Sequence, residues 1–367
     1  MSSEHLKYVI ALQMVPLIGP KSAKSLISFC GSPEAVFKEK KSHLVKIPGI
    51  GESMSSKIVK FNNFDKVDKE LDFIEKHNIK PLFYWNEEYP KRLIHIEDAP
   101  VMLYYNGNAD LNAQKIIGIV GTRSATNYGK DFCTKLVKEL AEFDVTIISG
   151  LAYGIDYCAH KEAVNNNLPT IGVLAHGLDT LYPFQHRDLA LKMIENGGLL
   201  TEFPTETNPN RENFPKRNRI VAGMVDGLIV VESPKRGGAL ITAEIAYSYD
   251  RELFAVPGRN NDKTSEGCNN LIRIQKANIL TEAKDIAYHL GWDMKKRKKV
   301  KKKINISSLS EIEKLIVLTI QANEKIHIDK LATLAGQNSS KLPILLLELE
   351  FKDFIQPLPG NFYRIKL

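Results

Sequence analysis

Asn213-Phe214-Pro215-Lys216-Arg217-Asn218-Arg219-Ile220 is the densest chemical cluster in this chain, with three cations and one aromatic ring in eight residues. Binders of single-stranded nucleic acid use that combination: cations hold the phosphates, and a ring or guanidinium face stacks on bases. The competing reading is a solvated helix start, for which Phe214 and Pro215 are poor choices. A second group, Gly121-Thr122-Arg123-Ser124-Ala125-Thr126, stands between an apolar strand pattern and a helix pattern. A glycine there lets backbone amides approach a phosphate, and the helix N-terminus adds positive potential. Arg123 adds a fork that grips a phosphate at two points. A plain strand-to-helix turn with a solvated arginine is the alternative. No GK[ST] follows, and Gly118 and Gly121 give only GxxG, which argues against ATP and dinucleotide sites.

Two further turns share this character. Ser149-Gly150-Leu151-Ala152-Tyr153-Gly154-Ile155-Asp156 offers Ser149 and Gly150 to a phosphate, with Asp156 expected to cap the next helix. Glu232-Ser233-Pro234-Lys235-Arg236-Gly237-Gly238 offers Lys235 and a fourth amide nest at Gly238. His160 stands alone on a helix and reads as a structural hydrogen-bonding residue, not a metal ligand. Tyr182, in His176-Gly177-Leu178-Asp179-Thr180-Leu181-Tyr182-Pro183, stacks a base or closes the core, and the core is the expectation. No catalytic set and no metal-ligand spacing stands out.

These turns need a scaffold that brings them to one edge. Apolar runs at 115–121, 145–149, 170–175, 227–233 and 252–258 read as buried parallel strands separated by helices. That is an α/β, Rossmann-like, doubly wound, mostly parallel sheet, whose ligands bind beyond the carboxyl ends of the strands. The expected organisation has four parts. Residues 1–98 form a helical SAM-like, helix-hairpin-helix module and connector; Leu44–Phe61 holds Pro48, Gly49 and Gly51, and Met14–Phe29 repeats the design around Gly19. Residues 99–292 form the binding core, 293–307 a basic linker, and 308–367 a winged helix of three helices and a terminal hairpin. The third of those helices is rich in Leu and Glu, so a protein contact or a structural role competes there with duplex binding.

The net charge is +7, but Met294–Lys303 alone holds eight cations and no acid. Subtracting those eight leaves the remainder at −1. Any basic surface on the core must therefore come from asymmetry. The linker reads either as a solvated spacer or as a nucleic-acid contact. Cys30, Cys133, Cys158 and Cys268 are dispersed, which fits a reducing cytoplasm better than a disulfide framework. The first ten residues show no secretory h-region, and no apolar run reaches the roughly 18 residues of a membrane span. A cytoplasmic chain with no membrane partner is expected.

GTRSAT, SGLAYGID, GLDTLYP, LTEFPTETNPNRENFPKRNRIVAG, GGALITA and FAVPG occur in the order and spacing of the DNA-processing protein A (DprA/Smf) family, which this chain resembles. The resemblance implies a non-catalytic protein without cofactor or metal. It implies sequence-nonspecific single-stranded DNA binding, dimerisation through the core, and delivery of RecA onto that DNA in natural transformation or recombination. Single-strand-binding protein is a further candidate partner. Carried over residue by residue, the DNA-gripping positions fall on Gly121, Thr122, Arg123, Phe214, Lys216, Arg217, Asn218 and Arg219, with Ser149, Gly150, Lys235 and Gly238 as secondary ones. Arg123→Ala or Arg217→Ala is expected to weaken single-strand binding and leave the fold intact. The core also resembles LOG-type nucleotide phosphoribohydrolases. In that alternative, Gly237–Glu244 stands for a phosphate nest with catalytic Glu244, although the second Gly-Thr step is missing. A third reading, a transcription factor acting through the winged helix, requires sequence-selective duplex binding by the last segment.

Overall fold

The computed structural model describes residues 3–292, 309–323, 325–336, 341–352 and 354–366. The basic linker expected at 293–307 lies outside the described residues. The chain divides into two compact units, 1–297 and 298–367.

The first unit is built on nine strands: β1 (Lys80–Phe83), β2 (Met102–Gly107), β3 (Ile116–Val120), β4 (Thr146–Ser149), β5 (Thr170–Val173), β6 (Gly197–Thr201), β7 (Gly227–Val230), β8 (Glu252–Ala255) and β9 (Asn278–Ile279). They form one sheet in the order β1-β2-β6-β5-β4-β3-β7-β8-β9. Pairing is parallel from β6 to β9 and antiparallel at β1–β2 and β2–β6. Strands β3, β4, β5 and β7 are buried along their whole length, as strands covered by helices on both faces must be.

The five apolar runs are β3, β4, β5, β7 and β8. Sequence reading missed β6, whose Gly-Gly start is a weak strand signal, and the antiparallel pair β1–β2. It also missed β9, which is only two residues long. Because β1 pairs with β2, the sheet begins inside the stretch read as connector.

Before the sheet lies the helical module. Helices Ser3–Met14 and Pro20–Cys30 make the first hairpin, and Lys41–Leu44 and Glu52–Val59 the second. Gly49 turns the second hairpin at φ +82°, a conformation an L side chain resists. The Gly51 carbonyl then accepts from Ser55 N at 3.0 Å and starts the next helix. Val9, Leu26, Val36 and Ile58 share a core with Phe83, Met102 and Tyr104, so the module is packed on the antiparallel end of the sheet.

The second unit has helices Glu311–Ala322, Ile328–Ala335 and Leu342–Phe351, and a three-stranded antiparallel sheet of β10 (Lys325–His327), β11 (Ile355–Leu358) and β12 (Phe362–Ile365), ordered β10-β12-β11. Ser310 and Glu313 close a capping box on the first helix. The third helix buries Leu342, Leu346 and Leu349 but exposes Ile344, Leu347 and Phe351. Its outward face is therefore apolar and carries few of the cations a duplex reader needs.

Candidate nucleic-acid interface

The strand order reverses between β3 and β7. Successive connections from β3 run one way along the sheet and those from β7 the other, which opens a crevice beyond their carboxyl ends. The turn Gly121–Thr126 leaves β3 there. Thr122 N donates to the Glu232 carbonyl at 2.7 Å. The Glu232 carboxylate is fully buried; it accepts from Thr126 N at 2.9 Å and from Thr126 Oγ1 at 2.8 Å. Thr126 Oγ1 in turn caps helix Asn127–Leu140 by accepting from Gly129 N. The turn is thus tied down from both sides, and two of its amides, those of Thr122 and Thr126, are spent on Glu232.

The next turn crosses over the first. Gly154 adopts φ +79°, and a Cβ on it would stand 2.2 Å from the Thr122 carbonyl oxygen. Only glycine permits this crossing, after which Ile155 N bonds Thr122 O at 3.2 Å. The two turns therefore hold Arg123 between them, with its side chain exposed.

Phe214 begins the helix Asn213–Gly223. The Arg123 guanidinium carbon lies 4.9 Å from the Phe214 ring centre and that of Arg217 5.9 Å away. The two cations thus converge on one ring, although 91 residues separate Arg123 from Phe214 in sequence. Tyr182 meets the same ring edge-on at 6.4 Å. Tyr182 is 44% exposed, so the expectation that it closes the core is corrected: it belongs to the rim.

Arg217 is only 5% exposed. Its Nη1 donates to the Val173 carbonyl at the end of β5 and its Nε to Asn218 Oδ1 at 3.2 Å. It makes no ion pair among the described residues. Asp156 is its nearby carboxylate, and both crowd the space that a Cβ of Gly150 would occupy. Burial pushes the Asp156 carboxyl up, and Arg217 pulls it back down. Burial likewise lowers Arg217, with Asp156 opposing. A half-compensated buried cation at a strand end is a good seat for an anion.

The remaining expected residues divide. Lys216 is exposed and forms no ion pair among the described residues. Lys235 is exposed, 3.7 Å from Glu266, and Gly238 opens the N-terminus of helix Gly238–Ser248 with no atom near its Cβ position. Gly121 packs against Ile155 and Glu232. Ser149 is fully buried, and its hydroxyl donates to the Ile119 carbonyl; Gly150 is buried too. These two shape the edge without facing solvent. Arg219 turns away from Phe214, pairs with Glu202 and donates to the Asp98 carbonyl. Its guanidinium secures the helix and does not join the rim.

Other residues also differ from expectation. Asp156 does not cap its helix; Gly154 is the cap residue, and Asp156 Oδ2 accepts from Ala152 N at 3.3 Å. Arg217→Ala would not leave the fold untouched, because the side chain is buried and bonded. Glu244 is exposed and paired with Lys276 at 2.7 Å, which gives the phosphoribohydrolase reading no support. His160 is structural: it is fully buried, bonded to Thr170 Oγ1 and the Gly150 carbonyl, and burial lowers it to about 4. Sequence reading missed Glu232 as the brace of the crevice. An acid directly following the strand run Gly-Leu-Ile-Val-Val was the available signal. A cavity of about 660 Å³ lined by Lys91, Arg92, Tyr249 and Arg251 lies beyond the amino end of β8, away from this edge.

The fold and this edge define a doubly wound parallel-sheet protein whose switch-point rim combines amides, guanidinium groups and rings. Residues 80–291 match the model of the DNA recombination-mediator protein A family, and residues 9–61 match that of the SAM-like helix-hairpin-helix tandem. The chain belongs to the DNA recombination-mediator protein A family. It is 34% identical over 304 residues to Protein Smf of Escherichia coli, covering 82% of this chain and 81% of that one. To the DNA processing protein DprA of Bacillus subtilis it is 38% identical over 224 residues, 61% of this chain and 75% of the relative. The X-ray structure of DprA from Streptococcus pneumoniae superposes with TM-score 0.68 at 30% identity, covering 77% of this chain and 97% of that one. A DprA structure from Helicobacter pylori, described for its single-stranded DNA binding mode, superposes with TM-score 0.53 at 29% identity, covering 58% and 95%.

Proposed function

We propose that this chain binds single-stranded DNA without sequence preference at the carboxyl edge of β3, β4, β5 and β7, and has no catalytic role. The observation that carries the reading is the Phe214 ring flanked by the guanidinium groups of Arg123 and Arg217. Phosphates run along Arg123, Lys216 and those amides of the Gly121–Thr126 turn that Glu232 and Thr122 do not take. A base stacks at Phe214, and Arg217 supplies positive potential from below. Lys235 and the open helix start at Gly238 extend the phosphate path. The single-strand binding described for the Helicobacter relative supports the reading.

A salt titration of oligo-dT binding, with duplex of equal length as control, tests it. Arg123→Ala and Lys216→Ala should each flatten the log–log salt slope by about 0.7, the value for one phosphate contact on a single strand. Phe214→Ala should weaken binding with the slope kept, because stacking releases few counterions. Unchanged affinity and slope in all three variants would exclude this edge.

Family membership supports a further step: the bound strand is handed to a RecA-type recombinase in recombination or natural transformation, by a homodimer formed through the core. Recombinase assembly on strands already coated by single-strand-binding protein should increase when this chain is added; no increase removes the delivery role. A monomer in sedimentation at working concentrations removes the dimer.

A further inference from the structure

We propose that the strand leaves Phe214 along a second stacking platform, made by Tyr182, Phe184 and Tyr153, that takes additional bases. The proposal rests on the single-strand reading above and extends it beyond the residues that carry phosphates.

Phe184 is 71% exposed and has no ring partner among the described residues, while Tyr182 and Tyr153 are each more than two-fifths exposed. The three rings stand on the loops after β4 and β5, and exposed rings of this kind are surface that water does not favour. The rings are held by a rigid backbone. The Tyr182 N–H donates to His176 Nε2 at 3.2 Å, and the other His176 nitrogen donates to the Gly177 carbonyl at 2.9 Å. Phe184 sits on the short 3₁₀ turn Phe184–His186. His186 Nδ1 donates to the Leu151 carbonyl at 3.0 Å, and Tyr153 Oη donates to Gln185 Oε1 at 2.8 Å. The loop after β5 is thereby bonded to the loop after β4. Tyr182 joins this platform to Phe214 through their edge-on contact.

The charges here differ from those at Arg123. Exposed Asp179, Arg187 and Asp188 lie on the loop after β5 and the helix that follows it, two acids to one cation, so the platform offers no net cation for phosphates. Its ligand chemistry is the unpaired base, read by π-stacking without regard to sequence. A duplex, whose bases are already stacked on one another, has nothing to offer it.

The test uses the full chain with oligo-dT of two lengths, about four and about twenty nucleotides, which bracket ordinary single-strand site sizes. Phe184→Ala and Tyr182→Ala should each weaken the long oligonucleotide about fivefold or more, the low end for one stacked base. With Phe184→Ala the short oligonucleotide should be affected less than about twofold and the salt slope should not change, whereas Tyr182→Ala, which removes a contact to Phe214, should weaken the short one as well. Phe184 is exposed and Tyr182 keeps its backbone bond, so both variants should fold; an unchanged circular dichroism spectrum checks this. Wild-type affinity at both lengths overturns the platform. So does an equal loss at both lengths with Phe184→Ala, since that ring would then act through Phe214. If Phe214→Ala still weakens the short oligonucleotide, the rim reading survives either result; if Phe214→Ala has no effect at either length, the rim reading fails with the platform.

Discussion

Arg217 has a structural role beside the binding role proposed for it. Its guanidinium is removed from water, bonded to the end of β5, and only partly balanced by Asp156. Truncation would leave the Val173 carbonyl short of a donor and Asp156 buried without its cation. Arg217→Ala should therefore cost about 1–3 kcal/mol of stability, the usual penalty for a buried polar group stripped of its partner. Denaturant unfolding would read that cost, whereas Arg123→Ala should unfold at the same midpoint as the unaltered chain. Equal midpoints for both variants would place Arg217 at the surface and contradict its burial. The sequence presented Lys216, Arg217 and Arg219 as one cluster. Helical geometry separates them: residues one and two apart on a helix do not face the same way. Hence Lys216 meets solvent, Arg217 meets the sheet, and Arg219 meets Glu202.

At the scale of elements, the rim depends on two turns crossing at Gly154. Gly154→Ala forces a side chain into a left-handed conformation and into the Thr122 carbonyl. The expected cost is about 1–3 kcal/mol for the backbone strain alone. The collision should also displace Arg123, so weakened oligo-dT binding should accompany a lowered melting temperature. A variant that melts and binds as the unaltered chain does would mean that the crossing is not needed. The glycines of both turns were visible in the sequence as phosphate-approach residues. That Gly154 serves the other turn and not a ligand was invisible, because close approach of two backbones leaves the same signature as close approach of backbone to phosphate. Strands β3, β4, β5, β7 and β8 were legible for the opposite reason: continuous apolar runs of that length have few other uses.

For the whole molecule, charge distribution is the governing quantity. Under the proposed function the described core has to attract a polyanion although the chain outside Met294–Lys303 sums to −1. Arg219, Lys276 and Arg92 are consumed by ion pairs within the fold, which leaves the rim a small set of available cations. Replacing the eight cations of 294–303 by glutamine in the full chain should therefore slow association with oligo-dT and reduce its dependence on salt. Stopped-flow association at two ionic strengths measures both. Identical rates with and without the cations would assign the linker to spacing alone.

The sequence by itself determined the doubly wound sheet, the helix-hairpin-helix module, the family, and the run 213–220 as the place to look, since each is written in local periodicity and contiguous motifs. Only the tertiary structure decided which members of that run reach the rim, that Tyr182 is outside the core, that Ser149 is inside it, and that Glu232 braces the crevice. The physical reason is that a side chain's role depends on which distant strand end it meets. Phe214 and Arg123 become neighbours only when β3 and the helix after β6 are brought to one edge of the sheet.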